Sequence, residues 1–307
     1  MTDNRARLAN VLSIAQNTER KTKRRVRKTK PAITPEKTSA PAASVAATPA
    51  TPATPKVPVM RPAQEKREIG ERLPEAEVGL MQDPRLFNDK QLEQIGVVHP
   101  RSDNEELVDS LRQIRTKLFQ LKPNGNFSVL VTSIVPQGGA SFIALNLAST
   151  IAFDKSKTSL LIDCNIQHPS QDKLLRLLKM QPRYGLIDYL ADPDLGVDKI
   201  VSPSGIPRMR IVPIGQRQEG DSEYLTSAKM RRFLAEIKQR YDNRYLVIDG
   251  PSISTSADAR VLSDLCDYIV LVAPYGGVTA SQIDAVVDEI DTAKLAGIVL
   301  NNELNGD

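Results

Sequence analysis

Between residues 104 and 301 apolar blocks recur at regular intervals, and their period alternates. "NEELVDSLRQIRTKLFQL" (104–121) sets Leu107, Leu111, Ile114 and Leu118 at steps of four, three and four, which predicts a helix with one apolar stripe. Continuous apolar runs then alternate with helix-like ones. "FSVLVTS", "TSLLID" (158–163), "RMRIVPI" (208–214), "RYLVIDG" (244–250), "DYIVLVA" (267–273) and "LAGIVLN" (295–301) are predicted strands. "SFIALNLASTIAF", "SQDKLLRLLK", "GLIDYLA", "SAKMRRFLAEIKQRY", "ADARVLSDL" and "TASQIDAVVDEIDTAK" are predicted helices. Unbroken apolar strands suit a sheet covered on both faces. The pattern predicts an α/β fold: doubly wound, with a mostly parallel sheet.

Ahead of this region the pattern changes. Residues 1–65 contain no long apolar run and read as a disordered arm, basic and then Pro/Ala/Thr-rich. Residues 66–103 read as an extended, partly helical lead-in, with a short helix expected at "NDKQLEQIG". Residues 104–307 form the globular domain, long enough for a substantial core. Within the arm, Leu8, Val11, Leu12 and Ala15 share a narrow helical face, which suits either a weakly helical tail or a docking helix. Residues 31–62 are proline-broken and read as a tether, reaching ~100 Å if fully extended as polyproline II.

The net charge of +4 is concentrated: "RKTKRRVRKTK" (20–30) holds eight Lys or Arg in eleven positions. Such a run is either a solvated tail or a contact for an anionic surface. It lacks aromatic residues for base stacking, so nucleic acid is not expected. An anionic membrane surface or an acidic partner, met through Arg20–Lys30, is the expected contact. Two cysteines, Cys164 and Cys266, and two histidines, His99 and His168, offer neither a disulfide framework nor zinc-ligand spacing. Without an apolar run of ~20 residues or a signal peptide, the expected place is the cytoplasm, with any membrane role peripheral.

Three strand ends carry the candidate chemistry. The first continues into "VPQGGASF" (135–142), a Gly-rich turn opening a helix, where Gly138, Gly139 and Ser141 suit a phosphate-binding loop. The second ends in Asp163 and the third in Asp249. A Gly-rich loop beside two strand-end aspartates is what a phosphate–magnesium site requires. A bound cofactor is nevertheless not expected, and any binding of ATP with magnesium should be weak. If magnesium binds, Ser141, Asp163 and Asp249 are its candidate ligands.

With "TSIVPQGGASFIALNLA", "LLIDCNIQHP" and "LVIDGPS" in hand, the domain resembles the cytoplasmic ATPase domain of bacterial tyrosine kinases that act in capsule and exopolysaccharide export. Those kinases are relatives of the division-site and partition ATPases with deviant Walker motifs. The resemblance runs through "YGLIDYLADP", "RMRIVPIGQ", "SEYLTSAKMRRFLAEI" and "DYIVLVAPYGGVTASQI", and covers about 104–304. It implies a P-loop NTPase-like fold and a membrane polysaccharide chain-length or export protein as partner. It also implies a homo-oligomer, because Asp109, Arg112, Arg115 and Thr116 match the family's oligomerisation motif of one acid and two arginines at steps of three.

The departures fall on charge. Ala140 stands where the family has the lysine that bridges the phosphates. Asn165 replaces its second aspartate, Gln167 and His168 its two arginines, and Ser252 the second proline after Asp249. The family's tyrosine-rich tail is replaced by "NNELNGD", and the last tyrosine is Tyr275. The expectation is a degenerate, pseudokinase-like regulator of polysaccharide export with a vestigial nucleotide site and no catalytic residue. The alternatives are an active or weak ATP-dependent tyrosine kinase or ATPase of the same pathway, or a positioning ATPase. Tyr184, Tyr189, Tyr224, Tyr241, Tyr245 and Tyr268 are expected to be packing residues.

Overall fold

Residue parity along the strands decides which layer each side chain meets. In β1 (Ser128–Ser133), Val129 and Val131 enter one core layer and Leu130 the opposite one. In β2 (Thr158–Asp163) the same split sends Leu161 one way and Leu160 and Ile162 the other. Both strands are buried along their whole length, which explains why the sequence shows continuous apolar runs rather than alternation. The computed structural model describes residues 87–301, apart from 103, 170–171, 178–180, 219 and 241–242. The basic run, the linker and the early helical face lie outside the described residues.

The chain runs α1 (Asp89–Gln94), α2 (Glu105–Leu121), β1, α3 (Ala140–Ile151), β2, α4 (Asp172–Leu177) and α5 (Leu186–Ala191). It continues through β3 (Ser202–Pro203), β4 (Met209–Val212), α6 (Ala228–Arg240), β5 (Arg244–Asp249), α7 (Ala257–Leu265), β6 (Tyr268–Pro274), α8 (Ala280–Asp288) and β7 (Leu295–Asn301). The strands form one sheet in the order β3-β4-β2-β5-β1-β6-β7, parallel except for the β3–β4 pair. Helices α2 and α3 pack with Val129, Val131, Leu161 and Val247 on one face. Residues of α5, α6 and α7 cover Leu130, Leu160 and Ile248 on the other, and α8 covers Ile269 and Leu271 beside them. This is the doubly wound fold. β5 sits between β1 and β2, so the chain skips a place after β1 and fills it later. That reversal leaves a crevice at the carboxyl ends of β1, β5 and β2.

Several expectations are adjusted. Val108 is buried on α2, whereas Leu107 and Ile114 are only partly covered, so the apolar stripe is rotated slightly from the expected one. α8 ends at Asp288, not near 294, because Asp291 then accepts from the Ala293 amide and starts a turn. β7 is an edge strand with exposed Leu300, not covered on both faces. The packed unit also starts ahead of residue 104: Phe87, Leu92 and Val97 join the core. Asn146 of α3 accepts from the Val98 amide at 2.7 Å and donates to the Gly96 carbonyl at 2.9 Å, while Ser149 donates to the Val98 carbonyl. Among the described residues no helix is long and apolar enough to cross a membrane.

Candidate phosphate and cation site

The loop after β1 is held in a shape few sequences tolerate. Gly139 lies at φ 88°, in the left-handed region, and forms the N-cap of α3. Gln137 also lies there, at φ 61°, which costs a non-glycine residue on the order of 1 kcal/mol. A Cβ on Gly138 would fall 2.9 Å from the Ser133 Cβ, 3.1 Å from the Val135 carbonyl oxygen and 3.2 Å from Pro274 Cδ. The Gly138 amide donates to the Val135 carbonyl at 3.2 Å, so it closes a turn and is spent there. Its carbonyl accepts from Asn301 Nδ2 at 3.2 Å, which ties the loop to the end of β7. α3 has no side-chain cap, leaving its first-turn amides and the positive end of its dipole at the crevice.

Ala140 is the first residue of α3 and only 6% exposed, within the core layer that holds Ile143 and Leu147. The next residue, Ser141, donates its hydroxyl to Asp249 Oδ1 at 3.0 Å. Asp249 and Asp163 are in-register neighbours at the ends of β5 and β2, and both are fully buried. Asp163 Oδ1 accepts from the Asn165 amide at 3.0 Å. Gly138, Gly139, Ser141, Asp163 and Asp249 therefore gather at one crevice.

The loop after β2 is built from turn chemistry. The Asn165 side-chain oxygen accepts from the His168 amide at 3.1 Å, so this residue folds the loop. Gln167 and His168 are exposed. Cys164 faces the interior, where burial pushes its thiol well up, reinforced by Asp163, Cys266 and Asp249. Arg217 donates to the Ile166 carbonyl at 2.7 Å. That guanidinium, from the turn after β4, and Asn301 are two site-edge residues that sequence reasoning missed. Both act on backbone carbonyls, which leave no motif.

The expected oligomerisation residues divide. Asp109 and Arg112 form a 3.2 Å pair on the exposed side of α2. They line a polar cleft of about 450 Å³ with Arg101, Ser102 and Glu105. Arg115 instead donates to the Thr150 carbonyl at 2.9 Å, at the carboxyl end of α3. Arg208 adds two bonds to the Ala152 carbonyl, at 3.1 and 2.7 Å. Two guanidiniums thus close the end of the helix that starts at the phosphate loop.

Oxygen donors from Ser141, Asp163 and Asp249 fit a hard cation such as magnesium. The start of α3 has no side-chain cap, but residues 135–142 hold no Lys or Arg, and Ala140 is buried against carbon. The fit to a magnesium nucleotide is therefore partial. Among the described residues no cluster of His, Cys, Asp and Glu has the form of a separate metal site.

Fold and crevice together define a P-loop NTPase-like α/β domain. No family model matches the chain. It is 23% identical over 225 residues to the tyrosine-protein kinase ptk of Acinetobacter johnsonii, covering 72% of this chain and 30% of that protein. It is 29% identical over 210 residues to the tyrosine-protein kinase CpsD of Streptococcus agalactiae, covering 64% of this chain and 88% of that one. The kinase domain of the Escherichia coli tyrosine kinase Etk superposes with a TM-score of 0.57 at 23% identity, over 72% of this chain and 95% of that domain. The chain is thus similar to bacterial tyrosine-protein kinases, and it spans about 30% of the length of the Acinetobacter protein.

Proposed function

We propose that this chain is a regulatory protein of capsule or exopolysaccharide export: a kinase-like domain that keeps the phosphate-loop scaffold and has lost phosphoryl transfer. The observation that carries the reading is Ala140, buried at the first turn of α3 beside an intact Ser141–Asp249 bond. A charged hydrogen bond is worth ~1.5–3 kcal/mol in the ground state. Its loss weakens nucleotide binding by roughly one to two decades. The loss in the transition state is larger, because phosphoryl transfer rests on electrostatic positioning.

When bound, magnesium would neutralise phosphate oxygens, held by Ser141, Asp163 and Asp249. The first-turn amides of α3 would orient the anion. No side chain of the loop supplies the missing positive charge.

In this reading the protein is cytoplasmic and peripheral to the inner membrane, working beside a membrane polysaccharide chain-length or export protein. Arg20–Lys30 would meet the anionic surface, and α2 would carry self-association through Asp109 and Arg112. The test is phosphate release from radiolabelled ATP by the full chain, with and without Ala140→Lys. No release by the wild-type chain supports the reading. Release at a rate unaffected by Asp249→Asn reports contamination, and release abolished by it overturns the reading.

A second reading has one observation in its favour. Arg217 brings a guanidinium to the loop after Asp163, which could restore part of the lost charge in a weak kinase. Loss of ATP turnover in Arg217→Ala would establish it.

A further inference from the structure

Six tyrosines lie among the described residues, and five are built into the interior or partly covered by it. Tyr189 packs on Phe233, Tyr245 on Phe119 and Phe127, and Tyr268 on Phe127. Tyr184 and Tyr224 are partly buried against the same core. Tyr275 alone of the six is exposed, at 50%. Its hydroxyl has no hydrogen-bond partner among the described residues, while its amide donates to the Asn301 carbonyl at 2.7 Å. The backbone is anchored and the phenol is free.

The surroundings suit a visiting active site. Gly276, at φ +70°, follows it with no side chain, and nothing lies within 4 Å of where a Cβ would be. From Tyr268 to Ile283 the sequence holds no acidic residue. The turn leads into α8, whose first residue is Ala280. A phosphotyrosine carries about −1.5 to −2 charges at neutral pH, and no acidic side chain of this stretch opposes them.

We propose that Tyr275 is a phosphorylation site for a catalytically complete tyrosine kinase acting in trans. The phenolic oxygen attacks the γ-phosphorus of ATP held by that kinase. The new oxygen–phosphorus bond forms as the bond to the β–γ bridging oxygen breaks, ADP leaves, and the phenolic proton passes to the kinase's base. The modification would bear on the phosphate loop, because a Cβ on Gly138 would fall 3.2 Å from Pro274 Cδ and Asn301 holds the Gly138 carbonyl. This proposal rests on the preceding reading only in assigning the catalyst to another protein.

The test incubates the full chain with the Escherichia coli Etk kinase domain and Mg-ATP, with a poly(Glu,Tyr) substrate as internal control, and maps phosphate by tandem mass spectrometry. The expected result is phosphate on Tyr275 and loss of the label in Tyr275→Phe, a surface change that leaves the fold intact. An unmodified Tyr275 while the control is labelled overturns the proposal, as does a label confined to another tyrosine. Label on Tyr275 without added kinase supports the acceptor site and overturns the view of the chain as inactive.

Discussion

The Ser141 hydroxyl and the Asp249 carboxylate stand 3.0 Å apart, joining the first turn of α3 to the end of the neighbouring strand β5. Asp249 is fully buried, so this donor matters to the fold whatever the site binds. Ser141→Ala should lower stability by ~1–3 kcal/mol, the cost of removing a donor from a buried acceptor. Urea unfolding at neutral pH checks this, and Ser141→Thr should recover most of the loss.

The two loop glycines should fail for different reasons. Gly138→Ala places a methyl group against Ser133, Val135 and Pro274, and overpacking of that kind costs ~1–3 kcal/mol. Gly139→Ala forces an L-residue into φ 88°, which costs roughly 1–2 kcal/mol. Gly276→Ala carries left-handed strain like Gly139→Ala but meets no neighbour, so it should lack the overpacking cost of Gly138→Ala in thermal unfolding.

Arg115 and Asp109 should separate fold from assembly. Arg115→Ala removes a cap from the carboxyl end of α3 and should cost ~1–2 kcal/mol in urea unfolding. Asp109→Ala breaks an exposed pair and should stay within about 0.5 kcal/mol. If α2 carries self-association, sedimentation of Asp109→Ala combined with Arg112→Ala shifts toward the monomer while stability holds.

Asp267 should set part of the acid sensitivity. Burial pushes its carboxyl up, but hydrogen bonds from Lys238 and from the amide and hydroxyl of Ser128 outweigh burial and hold it below the ordinary range. The folded chain therefore binds this proton less readily than the unfolded one, whose carboxyl titrates near ~3.9. The stabilisation is complete above that pH and drains away as pH falls below it. Asp267→Asn should be less stable at pH ~7 and show a shallower loss of urea midpoint below pH ~4.

Cys164 and Cys266 should resist thiol reagents in the native state. Both are buried, and burial, reinforced by Asp267, takes the Cys266 thiol up to about 12. Labelling with a thiol-reactive disulfide should need denaturant.

Legibility followed the range of the interactions. β1, β2 and β5 were readable because each strand is covered on both sides and therefore written in apolar residues throughout. The crevice was readable because Gly139, Ser141, Asp163 and Asp249 each sit at a strand end or helix start. β3 was not, since Ser202–Pro203 is too short to carry a period. Spacing put Arg115 beside Arg112 on one helix side, yet only the position of α3 turns it toward Thr150. Arg217 and Asn301 reach the site edge through backbone carbonyls, contacts that no residue pattern encodes.

A phosphate loop without its cation should hardly hold a nucleotide. Titration calorimetry of the full chain with Mg-ATP, with Asp163→Ala as control, should give no measurable heat, or a dissociation constant of ~1 mM or weaker, equivalent to ~4 kcal/mol of binding. A dissociation constant of ~1 μM that disappears in the control would show a working nucleotide site.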